Sequence, residues 1–294
     1  MTLLGESLWE TQRPTRSTAT PKIRTQLGTW NVRTKYDTGM VAQVAKEMGQ
    51  YGIEVLGISE CRWTGMGNVQ LVTGETVAYV GEQEKHRGGV AIMMSTGAKK
   101  SLMEWLPVSS MIICGRFHSA HKKVTMIQVH APTNYVEDEM KEDFYTKLQE
   151  TVNQCHQNDM IAVMVDFNAN VRRDNRGRER VMGRHGAGEG NDNGEGLCEF
   201  TSMNEMVIED TLFPHKQKHR MTWISLDGKT ENQIDHILAS RRMRTSLLDA
   251  RTMRGADVGS DYNMIRTSIR MKLKRNKSNK QIRKCFGLRS WKTQ

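Results

Sequence analysis

Polar side chains recur at one kind of place in this 294-residue sequence, immediately after a run of apolar residues stops. They are Asn31 in Thr-Trp-Asn-Val, Glu60 in Gly-Ile-Ser-Glu, His130 in Val-His-Ala-Pro-Thr, Asp166 and Asn168 in Val-Asp-Phe-Asn-Ala, Asp235 in Gln-Ile-Asp-His and Asp261 in Gly-Ser-Asp-Tyr. The end of a strand is where a rigid scaffold presents a reactive group with little freedom. Singly, an Asp or Asn there is most often a turn residue or a helix cap. Together they are four carboxylates, two carboxamides and an imidazole. That set offers hard oxygen donors for Mg²⁺ and N–H donors suited to a phosphate. Spacing alone does not make them converge; a fold must.

The elements that would position them can be read from hydrophobic periodicity. Short apolar runs predict strands at 27–32, 55–59, 89–94, 111–117, 124–129 and 161–165, and later at 222–225, 233–239 and 264–271. Residues 69–72 and 76–80 flank Thr-Gly-Glu and predict a hairpin. Met40, Val41, Val44, Ala45 and Met48 fall at helical spacing with Gly52 placed to end the helix, and Met140, Phe144, Leu148, Val152 and Cys155 form one stripe over 137–155. Residues 183–196 are too rich in glycine for an element and are read as a loop; no Gly-Lys-Ser/Thr follows, so it is not a phosphate-binding P-loop. Strands outnumber helices and mostly lack a helix between them, which favours two packed sheets with helices outside over a doubly wound sheet.

Composition bounds the rest. Hydrophobic residues make up 37 % and charged residues 26 %, with a mean hydropathy of -0.61, as for a soluble protein. No run approaches the roughly 18 apolar residues of a membrane span, and no secretory signal is evident at the N-terminus. Five scattered cysteines without a C-x-x-C are read as free thiols in a reducing compartment. Residues 1–24, rich in Thr, Ser, Pro and Arg, are read as disordered.

The net charge of +10 is unevenly placed, because residues 270–294 carry ten Lys or Arg and no acid. Removing those ten leaves 33 basic against 33 acidic residues. Residues 273–294 are read as a basic, disordered tail in which Lys274, Arg275, Lys277, Lys280, Arg283 and Lys284 would bind a polyanion without reading its sequence. A tail of this kind equally suits nuclear import, so the location expected is intracellular, nuclear rather than cytoplasmic.

Nine stretches, TWNVRT, GISECRWTG, VHAPTN, MVDFNA, VMGRHG, FPHK, TW, TENQIDH and GADVGSDYN, follow one another over about residues 27–265. In that order they resemble the endonuclease/exonuclease/phosphatase superfamily, and within it the apurinic-endonuclease-like branch found in retrotransposons. The resemblance implies an α/β fold, a four-layer sandwich of two packed mixed β-sheets flanked by helices, formed by residues 25–272. It implies Mg²⁺ as the cofactor, with Mn²⁺ as a substitute, and DNA as the partner. Glu60 would be the main metal ligand, with Asn31 and Asp261 beside it, and Asn31 would also hold the phosphate or a nearby water. Asp166 would orient or deprotonate the attacking water and Asn168 would support the pentavalent phosphate. Asp235 would help hold the site together, and Asp261 would orient residue 262. Trp63 and Trp223 are read as core aromatics rather than platforms for bases.

Three positions depart from the family pattern. Tyr262 stands where this branch has a histidine at the scissile phosphate, and a phenol with an unperturbed pKa near ~10 brings a hydrogen bond but no positive charge. His130 replaces a tyrosine, although the pancreatic deoxyribonuclease branch has a histidine in a similar context. Val165 replaces a glycine before Asp-Phe-Asn, adding a β-branched side chain beside Asp166. The departures leave every carboxylate in place, so the sequence supports metal binding better than turnover. The alternative expectation is a catalytically silent domain that binds nucleic acid or protein.

Overall fold

The computed structural model describes residues 24–33, 38–133, 136–276 and 283–284, and for Thr38, Val165, Arg283 and Lys284 the backbone alone. Two seven-stranded sheets form the centre. In the first sheet the strands are β1 (Thr25–Asn31), β2 (Val55–Ser59), β3 (Met66–Gln70), β4 (Thr76–Val80) and β5 (Val90–Met94), with β14 (Leu247–Met253) and β15 (Met264–Ile269), in the order β14-β15-β1-β2-β5-β4-β3. The second sheet holds β6 (Leu102–Ser109), β7 (Ile112–Phe117), β8 (Val124–His130), β9 (Met160–Asp166), β10 (Met206–Ile208), β13 (Asp235–Ser240) and β16 (Arg283–Lys284), in the order β10-β13-β9-β8-β7-β6-β16. A ribbon of β11 (Trp223–Ile224) and β12 (Glu231–Asn232) stands apart. Helix α1 (Thr38–Gln50) covers the first sheet, α3 (Asp138–Gln154) and α4 (Asp192–Met203) cover the second, and α2 (Thr96–Lys99) is a single turn.

Continuous apolar runs make the central strands because both faces of each sheet are covered. Val55, Val90, Ile92 and Met94 of the first sheet meet Ile113, Met126, Met164 and Ile237 of the second in the middle layer. Val41, Val44, Ala45 and Met48 of α1 close over Leu56, Ile58, Ala91 and Met93. Phe144, Leu148 and Val152 of α3 join Leu197 and Phe200 of α4 over Ile127, Val129 and Val163. Burying each such side chain stabilises by roughly 1.5–3 kcal/mol. Gly52 ends α1 as its position predicts: its φ of 63° turns the chain and lets the Ile53 N–H donate back to the Met48 carbonyl at 2.9 Å. The four-layer sandwich expected from the sequence is therefore the fold observed.

The sheets are tied together by polar groups as well. Gln128 reaches across the middle layer, donating to Ser59 Oγ at 2.9 Å and accepting from Thr29 Oγ1 at 3.2 Å. Gly57 makes the room, since a Cβ there would lie 1.8 Å from Gln128 Oε1. Near the other edge, Thr267 of β15 donates to Glu209 Oε2 at 2.5 Å. Burial pushes the Glu209 carboxyl up to about 8. Its unfolded counterpart titrates near the ordinary 4.5, so the stability it contributes is complete below that value and is lost as pH rises through about 8. We expect Glu209→Gln, which keeps shape and the hydroxyl contact, to flatten the fall in melting temperature between about pH 5 and about pH 8. An unchanged slope in calorimetry would refute this assignment.

Some elements differ from the sequence expectation. The loop read over 183–196 gives up its last five residues to α4, whose start is held by the Asn191 side chain accepting from the Gly194 N–H at 2.8 Å. The first hairpin strand is Met66–Gln70 rather than 69–72, because Leu71 already bonds across the turn to Glu75. Strands β6 and β14 were not anticipated from the sequence. Ordered chain continues past residue 272: Leu273 bridges Ser119, the Lys274 N–H donates to the His118 carbonyl, and Arg283–Lys284 pairs in parallel with β6. The segment read as disordered at 1–24 lies, apart from Arg24, outside the described residues.

Candidate active site

Two parallel strand pairs bring the candidate residues to one end of the sandwich. In the first sheet β1 and β2 run parallel with Asn31 opposite Ser59, so Asn31 and the following Glu60 emerge together. In the second, β8 and β9 run parallel with His130 opposite Asp166. Antiparallel β13 begins at the same edge, with Asp235 opposite Asp166. β15 begins there too, preceded by Asp261 and Tyr262. The Ser260 hydroxyl donates to the Asn31 carbonyl at 2.8 Å and the Trp30 indole to the Tyr262 carbonyl at 2.9 Å, fastening that loop to β1.

The side chains then interlock. The Asn31 amide donates to Glu60 Oε1 at 3.1 Å and to Asp166 Oδ2 at 2.6 Å, joining the two sheets at the site. His130 Nε2 lies 3.9 Å from the same Asp166 oxygen. Burial, then the charge of Asp166, pushes the Asp235 carboxyl well above its usual range. Asp261 Oδ2 accepts from the Trp223 indole N–H at 2.9 Å. Tyr262 is pushed well above the ordinary value for a phenol by burial and by the carboxylates of Asp166, Asp235, Asp261 and Glu60. It stays neutral across the whole working range. Asn168, at φ 51°, has its carbonyl held by the Asn191 amide at 2.9 Å.

Two arginines in this cluster were not singled out from the sequence. Arg33 Nη1 donates to Asp261 Oδ2 at 2.7 Å, its Nε lies 3.9 Å from Glu60 Oε1, and its guanidinium carbon is 6.0 Å from the Tyr262 ring centroid. Arg62 Nη2 donates to Glu60 Oε2 at 3.0 Å. Burial alone would raise the Glu60 carboxyl, but the bonds from Asn31 and Arg62 and the neighbouring His130 and Arg33 hold it below its usual value. Arg33 and Arg62 sit inside TWNVRT and GISECRWTG. The signal that finds them is the need to neutralise several converging carboxylates.

The donor set fits a hard divalent cation. It is all oxygen, and Oδ1 of both Asp166 and Asp235 is buried without a hydrogen-bond donor. Among the described residues, however, no three acidic, histidine or cysteine side chains already gather closely enough to enclose an ion. Asn31 and the two guanidiniums stand between them.

The remaining predictions fall elsewhere. Trp63 packs edge-on against Tyr79 at the rim of the outer layer of the first sheet, whereas Trp223 serves Asp261 rather than the core. Lys274 and Arg275 are at the opposite end of the sandwich from His130 and Asp166: Lys274 bonds His118, beside the start of β8, a strand of about 20 Å. Arg283 and Lys284 pair with Glu104 and Trp105 near that far end. Lys277 and Lys280 lie outside the described residues. A second basic run lies closer to the site. Arg172, Arg173, Arg176, Arg178, Arg180 and Arg184 follow Asn168 closely, and all but Arg178 are exposed.

Sandwich topology and site together define the endonuclease/exonuclease/phosphatase fold. Solved structures agree: the APE2 catalytic domain of Xenopus laevis superposes with a TM-score of 0.65 at 15% identity, covering 86% of this chain and 94% of that one. A 3'-5' exonuclease of Neisseria meningitidis gives 0.60 at 17% over 83% and 99%. The endonuclease domain of TRAS1, a telomere-specific non-LTR retrotransposon, gives 0.59 at 14% over 84% and 98%. Within that fold the chain is similar in sequence to craniofacial development protein 2. It is 36% identical to the Bos taurus protein over 251 residues and 35% identical to that of Tragulus javanicus, in each case over 84% of this chain. It spans only 41% and 42% of the length of those relatives. No protein-family model matches the sequence.

Proposed function

We propose that the chain is a Mg²⁺-dependent phosphodiesterase that cuts DNA, with turnover reduced by Tyr262. The observation that carries this reading is the meeting of Asn31, Glu60, His130, Asp166, Asp235, Asp261 and Tyr262 at one end of two sheets. Hydrolysis of a phosphodiester needs a water oriented for attack and positive or donor groups around the charge that develops on phosphorus. Asp166, fixed by Asn31 and next to His130, is the group to orient and deprotonate that water. Asp235 lies directly opposite Asp166, where β13 pairs with β9. Asn168, held in a left-handed turn two residues past the end of β9, would donate to the phosphate. A divalent ion held by Glu60 and Asp261 would supply the charge stabilisation. The exposed arginines of residues 172–184 suit the flanking phosphates of a nucleic acid. A related solved structure is a Neisseria 3' phosphatase bound to a product DNA hairpin.

The test is nicking of supercoiled plasmid and of an abasic oligonucleotide with Mg²⁺. We expect slow nicking that EDTA, Glu60→Gln and Asp166→Asn each reduce to background. Cutting that persists in both variants would discard the site.

The second reading, a silent nucleic-acid-binding domain, is favoured by Tyr262 and by the arginines that occupy the carboxylates. It expects no nicking, with salt-sensitive DNA binding instead. We further propose a nuclear location. A tagged chain that stays cytoplasmic would exclude it.

A further inference from the structure

Arg33 lies between two carboxylates of the candidate site. Its guanidinium contacts Asp261 and approaches Glu60, which belong to different loops of the first sheet, and so it spans the two carboxylates proposed to hold the metal. Its backbone is unusual as well. Arg33, Glu60, Arg62 and Asn168 have φ of 43°, 51°, 55° and 51°, and the described residues contain one other non-glycine residue with positive φ, Glu205. Left-handed backbone is strained for a branched or long residue, and such strain collects at functional sites. The Arg33 side chain is 47% exposed while those of Glu60 and Asp261 are 17% and 8% exposed. It therefore reaches in from the mouth of the site, and swinging out would return it to water without opening the core. Two cations sharing one pair of carboxylates repel each other.

Resting on the metal-dependent reading above, we propose that Arg33 is a tethered cation that holds Glu60 and Asp261 in the metal-free protein and must leave them when a divalent ion binds. Divalent-ion affinity at this site is then lowered by Arg33, and a group that takes the guanidinium, such as the phosphates of a bound nucleic acid, raises it. Arg62 stays with the outer oxygen of Glu60 and does not bridge.

Mn²⁺ alone is the probe, measured by calorimetry or by the loss of free-ion EPR signal on the full chain at low salt. Arg33→Met should bind Mn²⁺ at least about tenfold more tightly than wild type, because one competing charge is gone. Arg33→Lys, which keeps the charge, should remain near wild type. Adding Glu60→Gln to Arg33→Met should erase the gain. Equal or weaker binding by Arg33→Met overturns the proposal and leaves the metal-dependent reading standing, and so does a gain that survives Glu60→Gln. If neither wild type nor any Arg33 variant binds Mn²⁺, both fall. Should Arg33→Met not fold by circular dichroism, Arg33→Gln, neutral but able to donate to Asp261, must show the same gain.

Discussion

Tyr262→His should speed Mg²⁺-dependent nicking by ~10²–10⁴-fold, the range a positioned proton donor contributes to such a reaction. In the wild type the residue-262 side chain is half-buried against four carboxylates and uncharged, so it offers one hydrogen bond to a phosphate and nothing more. An imidazole is smaller and would sit beside Asp261, whose carboxylate is already fixed by Trp223 and Arg33, in surroundings that favour its protonated form. The gain should appear in single-turnover rate more than in DNA affinity. If the wild type already nicks as fast as the histidine variant, the phenol is not what limits this site. The nearby Arg33 or His130 would then be supplying the charge.

Asp210→Asn should cost ~3–5 kcal/mol of stability, which for a chain of this size lowers the melting temperature by roughly 6–20 °C. His236 is wholly buried, with Nδ1 2.8 Å from Asp210 Oδ2 and Nε2 2.9 Å from the Ala169 carbonyl. Both ring nitrogens face acceptors, which makes the ring an imidazolium. Burial works against the charge, but Asp210 outweighs it and raises the His236 pKa. Its contribution is therefore present below the ordinary 6.5 and is lost as pH rises through the raised folded value. Removing the Asp210 charge strands a buried cation. It also frees the strand end that supports Ala169 and, next to it, Asn168, so any nicking activity should fall together with stability. A melting temperature within about 2 °C of wild type would show that the ring is neutral and the pair unimportant.

The central strands were legible because they are covered on both faces and read as unbroken apolar runs; 55–59 and 76–80 match β2 and β4 to the residue. Strand β6 escaped because its sequence, LMEWLPVS, lies near the sheet edge, half exposed, with a proline in it. Strand β14, LLDARTM, is an edge strand with mixed polarity for the same reason. Helix α4 begins Asp-Asn-Gly-Glu-Gly, a stretch of poor helix formers rescued by the Asn191 cap and by packing of Leu197, Cys198 and Phe200. At the site, the residue types at strand ends were readable, since the chain must stop there to expose them. The pairing of Arg33 with Asp261 was not, because it joins segments far apart in sequence.

Half of the site hangs from each sheet: Asn31, Glu60, Asp261 and Tyr262 from the first, His130, Asp166, Asn168 and Asp235 from the second. The site is thus a gauge of how the two sheets lie on each other. A slip of one residue along a strand, about 3.3 Å, would part Asn31 from Asp166 and undo it. Conversely, a ligand that touches both halves acts as a rivet through the sandwich. At a hundred times its Kd it would add about 2.7 kcal/mol to the stability of the whole fold. Loosening Gln128, buried two residues before His130, should then blunt the grip on such a ligand without touching it.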